Sequence, residues 1–508
     1  MIIKYLYLKT SKETEMKNTI LLLSLLLIFV GCSKEDDNGS SPEPNPTGTA
    51  SFGTTTSGEI NANSVTINGN IANEGGSTVT ERGVVWSTEE NPSTSDNKQA
   101  AGSGTGAFSV TVSNLESDTR YNFRVYAINA QGTSYSSQLS VRTQEAIAGS
   151  VFNGDIELNT QAEVDAFGEN QYIGITGDLK IIELEAITSL SPLSSLTFVG
   201  DELIIQNATN LTNLEGLQNV SGSVRWLVLE NLPTLQNIDA LAGIQEIRNL
   251  IFIDRIPLLE RLDALSGIQV SAGVVTFQNN DLLVKLPDLN FTNDVYNVRL
   301  SNNPKLNDIL GLQGIQSLGL LSIVENNELI DLQVFDNISN LDNIDVTSNL
   351  NLNSLFDGSQ LSTVRSAQIR FNPQLTEITS FPNVQSVDLT LDINNNDLLQ
   401  EISFPSLNSA GELHIWSNNR LEVIDGFPSL NLIQGNVVVS NNNSLLALQE
   451  FNNLRTIQNR ITISNNTSLA DFCGLQEFAS KGTVPFIKIN GNLFNPSLSD
   501  IANGNCSL

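Results

Sequence analysis

From Ile156 towards the C-terminus the chain repeats one short pattern of apolar and polar positions. The unit has the form apolar-x-apolar-x-x-Asn-x-x-Leu. Examples are Leu203-Ile204-Ile205-Gln206-Asn207, Val298-Arg299-Leu300-Ser301-Asn302, Leu413-His414-Ile415-Trp416-Ser417-Asn418 and Val437-Val438-Val439-Ser440-Asn441. The first apolar position falls at Leu179, Leu203, Leu227, Ile251, Val275, Val298, Leu321, Ile344, Ala367, Leu391, Leu413, Val437 and Ile461, in steps of about 22 to 24 residues. Ile156-Glu157-Leu158 starts one unit earlier. Alternation within each unit is that of a strand with one buried face. One strand per coil predicts a parallel β-solenoid of about 13 coils over 156–508. Each coil buries its apolar pair against its neighbours, so no repeat is stable alone and the ends need covers. Thr160-Gln161-Ala162-Glu163 reads as a capping box opening a short helix, with Val164 and Phe167 facing inward. Asn at a fixed place after the strand suits a tight turn. Its amide can also satisfy backbone groups of the next coil and so form a ladder. Gly and Pro between units, as in Gly426-Phe427-Pro428, mark return turns.

Residues 50–144 alternate differently. Ser64-Val65-Thr66-Ile67-Asn68-Gly69, Arg82-Gly83-Val84-Val85-Trp86 and Ala107-Phe108-Ser109-Val110-Thr111-Val112 have period two between Gly, Asn and Ser punctuation. This predicts an antiparallel sandwich, joined to the solenoid by a linker over 145–155. Upstream, Ile20 to Val30 is apolar except for Ser24. At about 11 residues it is too short to span a bilayer and fits the apolar core of a signal peptide over 1–31. Lys17 supplies the positive charge before it. Met16 is a better start than Met1, because Glu13 and Glu15 are out of place in such a segment. Residues 38–49 are Gly, Ser, Pro, Asn and Thr with one Glu, and read with the preceding stretch as a flexible tether over 32–49.

Three stretches resemble known families. Phe29-Val30-Gly31-Cys32 resembles the bacterial lipobox, with Phe29 where Leu is usual. The resemblance implies a lipid on Cys32 and a membrane contact through that anchor. Ser33-Lys34-Glu35-Asp36-Asp37 resembles the surface-export signal of Bacteroidota lipoproteins, which implies exposure on the outer membrane. Leu115, Tyr121, Phe123-Arg124-Val125-Tyr126-Ala127, Asn129 and Gly132 resemble the F-strand region of fibronectin type III domains. In that family the Leu and Tyr lock the corner between two strands. Here Ser117 stands where Pro is frequent, and Trp86 sits on a mid-domain strand. The repeats resemble receptor L-domain and leucine-rich β-solenoids. An all-β chain follows, with short capping helices at the solenoid ends.

Composition narrows the partners. The 508 residues carry a formal charge of -30, with 40% hydrophobic and 16% charged residues. Such a surface repels nucleic acid. Cys32, Cys473 and Cys506 are the only cysteines, the arithmetic of an exported protein with one pair. A Cys473–Cys506 disulfide would clip the last coil, closing a loop of roughly 33 residues for about 3–4 kcal/mol.

Residues flanking the second apolar position of each strand point away from the core. One such column runs Ile204, Val228, Phe252, Thr276, Arg299, Ser322, Asp345, Gln368, Asp392, His414, Val438 and Thr462. The other runs Gln206, Glu230, Asp254, Gln278, Ser301, Val324, Thr347, Arg370, Asn394, Trp416, Ser440 and Ser464. An outward Trp beside charges is a common binding anchor. The candidate ligand-binding face is therefore Arg299, Asp345, Arg370, Asp392, His414 and Trp416. His414 is the only histidine, which excludes mechanisms and metal sites needing two. There is no P-loop, dinucleotide fingerprint or zincin motif. Asp345 and Asp392 lie two coils apart, roughly 9–10 Å, with Arg370 between. That spacing leaves a solenoid polysaccharide lyase as the weakest reading, because the coils show no inserted loops to form a cleft. No cofactor is called for. The turn Asn394-Asn395-Asn396-Asp397 is a candidate for Ca²⁺, although a ladder explains it better. The expectation is a non-enzymatic surface lipoprotein that binds an extracellular protein or glycan, with carbohydrate capture for nutrient uptake as the alternative.

Overall fold

The computed structural model describes residues 48–508 apart from 146–148, 272, 293, 425, 450 and 483–485. The signal segment, Cys32 and nearly all of the tether lie outside the described residues. The protein is all-β, with a sandwich followed by a β-solenoid of about 14 turns from residue 151 on.

The sandwich has two antiparallel sheets. One holds Ser51–Phe52, Thr56–Ile60, Val65–Asn73 and Gly106–Val112. The other holds Glu81–Ser87, Asn97–Ala100, Arg120–Asn129, Gly132–Tyr135 and Leu139–Arg142. Alternate residues of the long strands, such as Val65, Ile67 and Ile71 against Phe123 and Val125, fill the space between them. Leu115 and Tyr121 are both buried, and the Tyr121 hydroxyl accepts the Glu116 N–H at 3.1 Å, which pins the strand corner. Trp86 packs against the same core.

The solenoid begins at Val151–Phe152, inside the stretch read as a linker, because this strand pairs in parallel with Gly174–Ile175 of the next coil. Its principal sheet is parallel, with 19 strands. The repeating apolar position is in register from coil to coil. Leu179 pairs with Leu203, Leu203 with Leu227, and so on through Leu413, Val437 and Ile461 to Ile487 in the last strand, Phe486–Asn490. These residues and those two positions later face a continuous dry core. The helix Gln161–Glu169 starts with the expected capping box of Thr160 and Glu163, and buries Val164 and Phe167 over the first coils. At the far end Cys473 and Cys506 form a disulfide, beside the short helices Gln476–Lys481 and Leu498–Ala502. The two domains touch where Ser117 donates to Asn170 Oδ1 at 2.8 Å.

The asparagine pattern resolves into two columns with different physics. The first residue after twelve of the strands is left-handed: Asn207, Asn231, Arg255, Asn279, Asn302, Glu325, Ser348, Phe371, Asn395, Ser417, Asn441 and Asn465 have φ of 51–61°. Asn tolerates that region best among non-glycine residues, which accounts for its frequency there but not for a strict requirement. The next residue is the true ladder. Asn280, Asn303, Asn326, Asn349, Asn372, Asn396, Asn418, Asn442 and Asn466 are fully buried, and Asn492 nearly so. Each ladder amide donates to a strand carbonyl of the preceding coil, as Asn326 does to Leu300 at 2.9 Å. It also accepts the backbone N–H of the previous rung, as Asn303 does from Asn280 at 3.2 Å. The buried ladder amides are thereby paired within the wall. In the first coils Ala208, Leu232 and Ile256 take this place, and the turn is seated by apolar packing instead.

A second internal column is aromatic. Phe335, Phe356, Phe381, Phe404, Phe427 and Phe451 follow one another with ring centroids 5.5–6.4 Å apart, the later ones stacked nearly parallel. Gly426, read as a return turn, lies so close to the preceding coil that a Cβ there would sit 2.0 Å from the Ile402 carbonyl oxygen.

Candidate functional site

The outward columns fall in the expected register. Arg299 pairs with Ser322, Ser322 with Asp345, Asp345 with Gln368, Gln368 with Asp392, and Asp392 with His414. In the neighbouring column Thr347 pairs with Arg370, Arg370 with Asn394, and Asn394 with Trp416. Asp345, Arg370, Asp392, His414 and Trp416 therefore occupy four successive coils, a strip of roughly 15 Å at the usual strand spacing of about 4.8 Å. Arg299 stands apart, two coils before Asp345, and among the described residues no ion pair reaches it.

Hydrogen bonds fix the two carboxylates. Thr347 Oγ1 donates to Asp345 Oδ1 at 2.6 Å, and Asn394 Nδ2 donates to Asp392 Oδ1 at 2.8 Å. Arg370 lies between them, 3.7 Å from Asp345 and 3.9 Å from Asp392. Both pairs are looser than a direct N–H···O bond. The Arg370 Nε is enclosed and has no acceptor among the described residues. His414 Nε2 lies 3.5 Å from Glu412 Oε2, and the other Glu412 oxygen accepts from Asn436 at 2.8 Å. Trp416 is partly exposed at the end of its strand. The strip thus offers one aromatic surface, two oriented carboxylates and one under-satisfied guanidinium, held on rigid strands.

The early part of the same face is closed. Ile204 and Phe252 are 6% and 7% exposed and Val228 is fully buried, under Trp226 and Leu250. The strands are long enough to carry a third outward position, two residues before the first column, and its apolar members Trp226 and Leu250 fold over their neighbours. Arg225 lies over the Trp226 ring at 5.0 Å. In the middle and late coils most positions of the two columns are at least partly exposed, although Ser322, Asn394 and Ser464 are buried there too.

Two ion sites can be weighed. The Ca²⁺ candidate turn is already spent: Asn396 is a ladder rung, Asn395 donates to Asn394 at 2.7 Å, and Asp397 accepts from Asn419 at 2.9 Å. Asp178, Asp201 and Glu202 bring carboxylate oxygens within 4.8 Å of one another. Lys180 at 2.6 Å from Asp178, and Arg225 at 2.8 Å from Asp201 and 2.6 Å from Glu202, occupy that position with their own charges. Burial still pushes the Glu202 carboxyl above its ordinary range, and the Asp178 charge adds to this.

Residues 52–143 match the model of the fibronectin type III domain family. The sandwich is a fibronectin type III domain. The fibronectin type III domain covers less than a fifth of the chain, and no curated protein matches the sequence. Among solved structures, domains A168-A170 from titin share 25% identity, over 19% of this chain and 32% of that chain, with a TM-score of 0.16. The pectate lyase PelI from Erwinia chrysanthemi shares 10% identity, over 67% of this chain and 86% of that chain, with a TM-score of 0.14. Scores this low give neither likeness a bearing on function.

Proposed function

We propose that the protein is a non-enzymatic binding module. It is displayed on the outer cell surface by a lipid on Cys32, and contacts an extracellular protein or glycan through the sheet strip around Trp416. The fibronectin type III domain acts as a spacer between anchor and solenoid. The observation that carries this reading is the partly exposed Trp416 on a rigid, flat strand array, one coil from the oriented Asp392 and Asn394. A preorganised aromatic anchor loses little entropy on binding, and flanking polar groups supply direction. Carbohydrate capture is the second reading, because an aromatic plane beside a partly exposed carboxylate, held in place by the buried Asn394, suits a sugar ring as well as a protein.

The test uses the purified chain against labelled intact cells and a glycan array. Trp416→Ala is expected to weaken binding by about 30-fold, the usual loss for a central aromatic anchor. Unchanged binding removes the strip from the account. Sugar affinity on the array selects carbohydrate capture, and its absence alongside cell binding selects adhesion. Loss of palmitate labelling in Cys32→Ser tests the anchor separately.

A further inference from the structure

The flank that follows the asparagine ladder carries a groove. Two cavities of about 450 and 330 Å³ share Gln333 and Asp336 in their walls and so lie side by side. No inserted loop builds them; they open between side chains of successive coils. Leu310 and Ile330 line the groove and are 63% and 52% exposed, although a few residues away Ile309, Leu329 and Leu332 are buried in the core. Asp308, Asp331, Asp336, Asp357 and Glu377 surround them, and neither cavity is lined by a Lys or Arg.

Most of that charge is uncompensated. Lys285 approaches Asp308 at 3.7 Å from the preceding coil. Among the described residues Asp331 accepts only the Gln333 N–H and Asp336 only the Asp357 N–H, at 3.2 and 2.7 Å. Among the described residues no ion pair reaches Asp331, Asp336, Asp357 or Glu377. Two exposed aliphatic side chains in a concave wall favour an apolar cover. The carboxylates around them repel anionic lipid headgroups, acidic proteins and nucleic acid. An occupant must bring apolar and cationic groups together.

We propose that this groove docks an extended cationic segment of a partner protein, with Lys or Arg side chains on Asp331, Asp336 and Glu377 and apolar side chains over Leu310 and Ile330. The dimensions agree. The acidic wall from Asp308 to Glu377 crosses three coil spacings, roughly 14 Å, which an extended chain covers in about four to five residues. Successive side chains of such a chain point to opposite sides, so an alternating basic and apolar segment meets the wall and the aliphatic floor at once. This surface is separate from the Trp416 strip and does not depend on it.

The probe is a fluorescein-labelled peptide of alternating Lys and Leu, followed by anisotropy with the full chain at low and moderate salt. Saturable binding is expected. It should weaken about tenfold in the combined variant Asp331→Asn, Asp336→Asn, Glu377→Gln, as three exposed ion pairs would supply. Leu310→Ser with Ile330→Ser should weaken it as well, while Trp416→Ala leaves it unchanged. Leu310, Ile330 and Glu377 are exposed and Asp331 and Asp336 partly so, and circular dichroism checks that each variant folds. Two results overturn the proposal. One is equal weakening by Glu59→Gln, Glu89→Gln, Glu90→Gln, which removes the same charge from the fibronectin type III domain. The other is equally tight binding of a Lys–Ser peptide, which would show diffuse attraction to an acidic protein.

Discussion

The side-chain oxygen of Asn372 accepts two N–H groups of Asn349 at once, the backbone one at 3.1 Å and the amide one at 3.2 Å. The Asn372 nitrogen donates to the Val346 carbonyl at 2.9 Å. One side chain thus closes two backbone groups of the preceding coil. Asn372→Ala leaves a buried donor and a buried acceptor open, and should cost about 3 kcal/mol in a urea titration. Asn395 lies one position earlier in its own coil, and its main requirement is φ of 52°. Asn395→Gly should therefore cost less than about 1 kcal/mol. Equal losses at the two sites would contradict the division of labour between the columns.

Phe404 lies between Phe381 and Phe427, with centroids 5.5 and 5.8 Å away and ring planes tilted by 16° and 4°. Truncation opens a cavity between two coils that cannot move independently. Phe404→Ala should cost about 3–5 kcal/mol, and Phe404→Leu markedly less.

Tyr121 stabilises the fibronectin type III domain alone. Tyr121→Phe removes the acceptor of the Glu116 N–H and should cost about 1–2 kcal/mol. Because few contacts join the domains, calorimetry should show the sandwich transition shifted and the solenoid transition in place. A shift of both would show that they unfold together.

Burial raises the Asp254 carboxyl above the ordinary aspartate range, against the opposing effects of the Asn279 amide and Arg255. A carboxyl with a higher pKa folded than unfolded holds its proton more tightly in the native state. Its contribution is full below the unfolded value and is lost as pH rises through the folded one. Asp254→Asn escapes this loss. The urea midpoint of the variant, taken relative to the parent protein, should climb as pH rises through and just above the aspartate range. A difference that stays flat with pH would sink the assignment.

Separation of Cys473 from Cys506 by 33 residues makes the disulfide a local clip. Paired Cys→Ser substitution should destabilise the last coils by about 3–4 kcal/mol. Limited proteolysis should then begin near the C-terminus, with the coils before Asn442 still protected.

The strand register was legible because a coil of fixed period returns the same two inward positions to the same core. Leu203, Leu227 and Ile251 declare themselves by spacing alone. The two asparagine columns were harder to separate, because both favour the same residue for unrelated reasons. The substitutions Arg255, Glu325, Ser348, Phe371 and Ser417 reveal that the left-handed position is permissive. The phenylalanine column has a readable spacing, but it lies in segments where Gly and Pro draw attention to turns. The closed early face depended on strand length: counting two outward positions per coil hides Trp226 and Leu250. The flank groove escaped for a related reason. Leu310 and Ile330 look like further core residues until the coil's actual path turns them outward. At the Trp416 strip, periodicity gave which residues share a face. It could not give the Arg370 geometry, which depends on how Thr347 and Asn394 orient the neighbouring carboxylates.

The ladder of identical rungs has an implication for size. Each rung is completed by the one after it, so any coil from Asn280 onward finds the same connections waiting on both sides. Inserting or deleting a whole coil in that stretch should lengthen or shorten the molecule by a single strand spacing while leaving both terminal covers intact. The stretch from Asn280 onward works as a ruler whose length a gene can edit in units, and the three coils before it, seated by Ala208, Leu232 and Ile256, mark where such editing must stop.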